Sequence, residues 1–432
     1  MIDLDVAGPA PESAPGRRRP RTDVPRPLRI LAVLVLALVT LGSATAPPAP
    51  ELRMVLAANG TAAAAFVLGA DSLYTASHGI DNPSNESAVR RFDLVDGSLR
   101  WAAALPQGVQ NLQVADDAGV LMARSGTDPR VTFLDHTTGA VLWRLASANT
   151  SVVTLTGRGV LIRTDVPGAT ELRLADPRTG RTRWQRRLDP WLSYGPDDLW
   201  SGTARRIIAI AASGSVTTLD FGTGATLAAG RLDGRLHVEG DRVHTVGDNR
   251  LVVFRPATGA MPLTAYSVVP FAPLWRSAES GESVSDCGPV WCLTRPDVTG
   301  VDAVDPATGR VRWRTGEVGS AARLSPEVLA GYATGEEPRM TLLDPATGRV
   351  RQRLGTVVPV GGLLLHSDSE MPGQAWVTVR QPGGAIRTLG RVDTAVPFGC
   401  AADGRYLACP TTDGPTKVWR LPWMIRPPGP RR

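Results

Sequence analysis

The sequence predicts an all-β fold: an eight-bladed β-propeller, with seven blades as the alternative, built of four-stranded antiparallel blades and preceded by one N-terminal transmembrane helix. Three observations carry this expectation. A ten-residue unit recurs along the chain, at 134–143 (LDHTTGAVLW), 175–184 (ADPRTGRTRW), 304–313 (VDPATGRVRW) and 343–352 (LDPATGRVRQ). With its degenerate relatives counted, the turn glycines of the unit (Gly97, Gly139, Gly180, Gly224, Gly259, Gly309 and Gly348) follow one another at about 35 to 50 residues, the length of a four-stranded blade. No segment sustains a helical period, and 45 Gly and 36 Pro among 432 residues indicate many turns.

Taken in order, residues 1–29 are rich in Pro and Arg, lack apolar periodicity and read as a disordered basic leader on the cytoplasmic side. An uninterrupted apolar run from Ile30 to Leu41 extends through small residues to Ala46 and stops at Pro47 and Pro48. As a helix, 30–46 would span about 25 Å, slightly short of a ~30 Å hydrocarbon core. The arginines on one side of it set the N-terminus in the cytoplasm and the bulk of the chain outside. The competing reading is a signal peptide, for which Ala44-Thr45-Ala46 imitates a cleavage site. Pro47 just after the cut opposes that reading, and both readings export the body.

From residue 51 to 422 the pattern is short strands and turns, and 423–432 reads as a disordered tail. In each unit an Asp side chain can accept backbone N–H groups across the turn, and a Gly supplies the positive φ of a tight reversal. The repeat turns include Asp135 and Gly139, Asp176 and Gly180, Asp305 and Gly309, and Asp344 and Gly348; Gly97, Gly224 and Gly259 continue the series, with a degenerate eighth turn at Gly383-Gly384. After that turn about three strands remain, and 52–57 (LRMVLA) from the other terminus is available as their fourth. Eight turns plus this hybrid blade exceed eight when counted literally.

The net charge of +6 sits mostly on the termini. Six arginines against four acids leave +2 before the apolar run, Arg426, Arg431 and Arg432 add three, and the body keeps about +1. A nucleic-acid binder concentrates charge on a folded face, so no nucleic-acid partner is expected.

At these repeats the chain resembles the pyrroloquinoline-quinone-repeat β-propellers, whose blades carry a motif like AxDxxTGxxxW. The resemblance implies the fold more than the activity, because one fold hosts many functions. That superfamily holds quinoprotein dehydrogenases, the outer-membrane assembly lipoprotein BamB, and anchored bacterial proteins without assigned roles, which this chain resembles most. Trp101, Trp143, Trp184 and Trp313 share one offset in the outer strand, where an indole wedges between blades. The alternative, an aromatic ligand platform, would cluster them in one place.

Cys287, Cys292, Cys400 and Cys409 bracket two hairpins, and outside the cytoplasm they read as two local disulfides. Four cysteines allow three connectivities; free thiols and metal binding are the other readings. Quinoprotein dehydrogenases of this type carry an adjacent Cys-Cys pair beside the cofactor and calcium ligands, and neither is found in this sequence. His78, His136, His237, His244 and His366 are scattered without metal spacing, so neither a metal nor a cofactor is expected. The loops 81–87 (DNPSNES) and 366–370 (HSDSE) read as solvated connections, the first with binding as the alternative and the second with calcium. Asn59, Asn85 and Asn149 head N-glycosylation patterns.

The expected function is non-catalytic: a scaffold held at the bacterial cell membrane through Ile30 to Ala46, binding an envelope protein or an extracellular ligand through a propeller face. A pyrroloquinoline-quinone-dependent oxidoreductase is the alternative, and an extracellular sensor working with a membrane partner is the second.

Overall fold

The computed structural model describes residues 52–422 except for the connecting segments 59–62, 78–86, 107, 126–129, 146–148, 190, 197–203, 238–239, 248–249, 257–260, 278, 296–299, 334–338, 368–370, 382–383, 395–396 and 412–413. The leader, the apolar run at 30–46, the tail, His78, Gly259 and Gly383 therefore lie outside the described residues. So do most of 81–87 and of 366–370, and the glycosylation patterns at Asn59 and Asn85. No helix among the described residues is long and apolar enough to cross a membrane.

The body is a β-propeller of antiparallel meanders. Eight hydrogen-bonded sheets are present among the described residues: seven have four strands and one has seven. The large sheet is double. Its strand Val350–Val360 is 11 residues long, closes one meander through Arg339–Leu343, then opens the next through Leu363–Ser367. The expected eight thus matches the number of sheets, whereas four-stranded units number nine. In chain order we label these blades one (63–105), two (109–145), three (150–188), four (191–231), five (242–277), six (283–315), seven (320–356), eight (357–393) and nine (401–420 with 53–58).

Blade nine closes the ring. Its fourth strand is Arg53–Ala58 from the other end of the body, paired antiparallel with Thr416–Arg420, Arg53 opposite Arg420 and Ala58 opposite Thr416. This joins the two ends of the body through main-chain hydrogen bonds, so that blade nine has a complete outer edge. Buried apolar side chains form nine clusters, each between consecutive blades. Leu389 and Val392 of blade eight meet Leu407 and Trp419 of blade nine, while Leu56 and Val418 of blade nine meet Leu73 and Phe92 of blade one. The core is therefore a circle of inter-blade layers. Each sheet is too thin to bury its faces alone and relies on its neighbours.

Period-two alternation explains the individual strands. Ala169–Ala175 (ATELRLA) turns Thr170, Leu172 and Leu174 to one face, while in Ser87–Asp93 (SAVRRFD) Val89 packs toward blade two and Phe92 toward blade nine. The second strands, such as Val120–Ser125 and Arg206–Ala211, are buried on both faces and read as nearly continuous apolar runs.

The place of Gly259 in the series of repeat turns needs a correction. Arg250–Phe254 and Leu263–Val268 are the second and third strands of blade five, so Gly259 stands between those strands. The third and fourth strands of that blade are joined at Val269-Pro270 instead. A Thr-Gly pair without its Asp marks a turn, but does not say which one.

Candidate binding surfaces and the turn face

Six of the third-to-fourth-strand turns share one geometry. In blade two, Asp135 N–H donates to the Ala140 carbonyl at 2.8 Å, and Gly139 N–H to the Asp135 carbonyl at 2.9 Å. The same pair of bonds recurs at Asp93, Asp176, Asp220, Asp305 and Asp344. Gly97, Gly139, Gly180, Gly224, Gly309 and Gly348 hold φ between 67° and 74°, which places a left-handed residue next to a bulge in the hairpin. In blade one, Asp96 takes the place of the motif Thr and accepts the Ser98 N–H at 2.9 Å.

The carboxylates do two jobs. One oxygen caps the turn: Asp135 Oδ1 accepts the N–H groups of Thr137 and Thr138, both at 2.9 Å. The other meets an arginine seven residues on, in the pairs Asp93–Arg100, Asp176–Arg183, Asp305–Arg312 and Asp344–Arg351. Blade two has Leu142 at that position, and Arg178 from blade three reaches Asp135 Oδ2 instead, at 2.7 Å. Arg183, Arg312 and Arg351 hold Asp176, Asp305 and Asp344 below the usual carboxylate range. The Val95 N–H does the same for Asp93, and the Thr223 hydroxyl for Asp220. Burial raises Asp135, yet Arg178 and the hydrogen bonds from Thr137 and Thr138 outweigh it and bring it down to about 2.

These turns are also docking sockets. Trp101 Nε1–H donates to the His136 carbonyl at 3.1 Å, Trp143 to Pro177 at 2.9 Å, Trp184 to Phe221 at 3.0 Å and Trp313 to Pro345 at 3.0 Å. In every case the acceptor follows the turn Asp of the next blade. The indole lies over that turn's Gly: a Cβ at Gly139, Gly180, Gly224 or Gly348 would fall 2.4–2.8 Å from the ring. The glycine is required twice, once for its φ and once for the approach of the indole.

Trp275 does the same work and was not singled out in the sequence. Its Nε1–H donates to the Pro306 carbonyl at 3.0 Å, and a Cβ at Gly309 would lie 2.4 Å from its ring. Its signal is an Arg after the Trp, as in Trp313-Arg314, but the turn before it lacks the Asp and the Thr-Gly. Where Gln352 replaces the Trp, the sheet runs unbroken into blade eight.

At the other end of the blades, three carboxylates of blade-to-blade links hold arginines of the blades that follow: Asp233–Arg276, Glu279–Arg314 at 2.6 Å and Glu317–Arg353 at 2.6 Å. Arg314 and Arg295 also flank Asp302, whose side chain is only 3% exposed, each at 3.4 Å. No sequence pattern pointed to Asp302, which sits in an otherwise apolar strand.

The cysteines form two disulfides, Cys287–Cys292 and Cys400–Cys409. The first staples the hairpin at the start of blade six, the second the first two strands of blade nine. The histidines do not converge. His136 Nδ1 lies 3.5 Å from Asp116, His366 Nε2 lies 3.0 Å from the Thr378 hydroxyl, and His244 packs edge-on to Phe254. Burial pushes His244 and His366 below the usual histidine range. His237 N–H donates to Asp241. Among the described residues no three His, Cys, Asp or Glu side chains form a metal-holding group.

A cavity of about 350 Å³ opens between the inner strands of blades one, two and nine, lined by Ala65, Phe66, Gln110, Asn111, Gly399 and Pro410 among others. Its described polar side chains are two carboxamides. They do not fit pyrroloquinoline quinone, a tricarboxylate that calls for cationic or metal-borne partners.

Residues 62–261, 200 of the 432, match the family model described as "Outer membrane protein assembly factor BamB". No curated protein matches the chain. Among solved structures, BamB from Moraxella catarrhalis is 17% identical over 86% of this chain and 100% of that one, with a TM-score of 0.46. Sqt1 of Saccharomyces cerevisiae is 9% identical over 86% and 100%, with a TM-score of 0.45. A eukaryotic initiation factor is 12% identical over 74% and 86%, with a TM-score of 0.51, and speaks to the fold alone. By its motif-bearing blades and this match, the stretch 62–261 is of the pyrroloquinoline-quinone-repeat, BamB-like kind, within a body that is a β-propeller throughout.

Proposed function

We propose that the chain is a non-catalytic, extracytoplasmic binding scaffold of the bacterial cell envelope, held at the membrane by residues 30–46 with its N-terminus in the cytoplasm. The observation that carries the reading is the match of 62–261 to the BamB family model, whose printed description is an assembly factor. The geometry supports it: the repeated Asp, Arg and Trp side chains act on one another and on turns whose Gly leaves room for the indole. They build the ring itself, and propellers bind partners through their faces and loops.

In vivo cross-linking of the tagged full chain, followed by mass spectrometry of the captured proteins, tests this reading. A reproducible set of envelope proteins is the expected result. Capture of none, together with a quinone absorption band and dye-linked substrate oxidation on adding pyrroloquinoline quinone and Ca²⁺, would replace the scaffold by an oxidoreductase. Sizing the mature N-terminus by mass spectrometry tests the anchor: a chain beginning at Pro47 refutes it.

A further inference from the structure

We infer that the outer edge of blade three is a docking strand for an acidic, extended peptide segment of a partner protein. The inference rests on the scaffold reading and names the chemistry of its partner. Between residues 178 and 187 the chain carries Arg178, Arg181, Arg183, Arg186 and Arg187, all exposed. The strand they lead into, Thr182–Leu188, is the last of its sheet and pairs only with Ala169–Ala175. One main-chain edge is therefore open beside a row of guanidinium groups.

On blades one, five, six and seven outer-strand arginines are matched by carboxylates: Arg100 by Asp93, Arg276 by Asp233, Arg312 by Asp305, Arg314 by Glu279, Arg351 by Asp344 and Arg353 by Glu317. The single Arg231 of blade four instead meets a carbonyl, and Arg391 of blade eight meets Gln374 and Met371. Blade three also breaks the carboxylate pattern. Arg183 pairs with Asp176, and Arg178 with Asp135, but Arg186 donates to the Gly224 carbonyl at 2.8 Å. Among the described residues Arg181 and Arg187 form no ion pair. Glu171, opposite Arg187 in the register, already accepts from Gln185 at 2.9 Å.

The shape of the patch selects its occupant. The neighbouring outer strands, Val141–Leu145 (VLWRL) and Thr226–Arg231 (TLAAGR), carry one arginine each, and Arg231 donates to the Ser213 carbonyl. Relative to these neighbours the excess charge lies on one edge seven residues long, roughly 23 Å, and in the turn that leads into it. A lipid surface would touch several edges at once, whereas one added strand fits this width. Strand addition draws affinity from main-chain hydrogen bonds and specificity from alternate side chains. Here alternate carboxylates would meet Arg183 and Arg187 on the side opposite Trp184 and Arg186, which turn toward blade four.

The probe is a fluorescent peptide of alternating glutamate and valine, titrated into the full chain in mild detergent and read by anisotropy. Saturable binding that weakens as salt rises is expected, and Arg181→Glu/Arg187→Glu lowers the affinity by about tenfold or more. Arg187→Gln, the milder change, gives a smaller loss in the same direction. A copy of the peptide N-methylated at alternate residues also binds about tenfold more weakly, because it cannot complete the strand. Equal binding of the N-methylated or the glutamine-for-glutamate peptide overturns the inference. So does displacement by soluble short-chain phosphatidylglycerol, which would mark a headgroup site. No binding at all means that the arginines only keep other edges away. Envelope cross-links that persist in the Arg181→Glu/Arg187→Glu chain leave the scaffold standing and remove this edge from it.

Discussion

Replacing Gly348 by Ala tests the link between the repeat motif and the ring. Gly348 holds φ +69°, and an added Cβ would lie 2.4 Å from Trp313 Cε3 and 2.7 Å from Cδ2. Forcing Ala into the left-handed region costs about 1–2 kcal/mol. Pushing a buried indole off its seat adds about 1–3 kcal/mol, for a total of roughly 2–5 kcal/mol. Gly168 is the control: its φ is +71° with nothing within 4 Å, so Gly168→Ala costs only the backbone part, about 1–2 kcal/mol. Trp313→Ala, at a site 8% exposed, costs about 3–5 kcal/mol. On that background the clash is gone, so the two changes couple by about 1–3 kcal/mol instead of adding. Urea midpoints of the four chains of the cycle measure the coupling. Additive losses, or Gly348→Ala no worse than Gly168→Ala, would refute the account in which the turn Gly is a socket for the indole.

Three further outcomes follow from the same geometry. The turn carboxylates are depressed in the folded state, Asp135 to about 2 from an ordinary 3.8, so their stabilisation is complete above about pH 4–5 and is lost as pH falls toward 2. Asp135→Asn should flatten the acid limb of a stability–pH profile by about 1 kcal/mol, since Arg178 is half exposed and screened by solvent; an unchanged limb argues against it. Reducing the disulfides, or replacing Cys400 and Cys409 by Ser, should lower stability by about 2–3 kcal/mol for a loop this short, and a denaturation midpoint indifferent to reductant counts against that. Leu56→Ala, in the closing strand and 8% exposed, should cost about 2–4 kcal/mol and speed hydrogen exchange in blades nine and one. Protection unchanged in those blades would mean that the N-terminal strand does not hold the ring closed.

Local chemistry carried much of this architecture into the sequence. An Asp that caps its own turn, a Gly at positive φ and a Trp four residues later act within a few residues, so Asp305, Gly309 and Trp313 are legible where they stand. Trp275 was hidden because its turn lacks the motif while its socket at Gly309 belongs to the next blade. The Arg178–Asp135 pair was hidden for the same reason: the contact spans 43 residues and replaces a local one. Asp302 and the carboxylates of the links gave no pattern, because their partners sit on separate strands.

By itself the amino-acid order determined the strand–turn repeat and the strand left over at each end of the body, since hydrogen bonding and backbone sterics over about ten residues decide them, while the structure chose the local pairing among the three connectivities of the cysteines. Only the tertiary structure decided that nine four-stranded units share eight sheets, and that Arg53–Ala58 completes the last of them. It alone also showed that Arg181 and Arg187 on one outer edge form no ion pair among the described residues, while Arg312 and Arg351 on others meet carboxylates. Those outcomes depend on which blades become neighbours, and neighbours around a ring are chosen by packing between faces far apart in the chain.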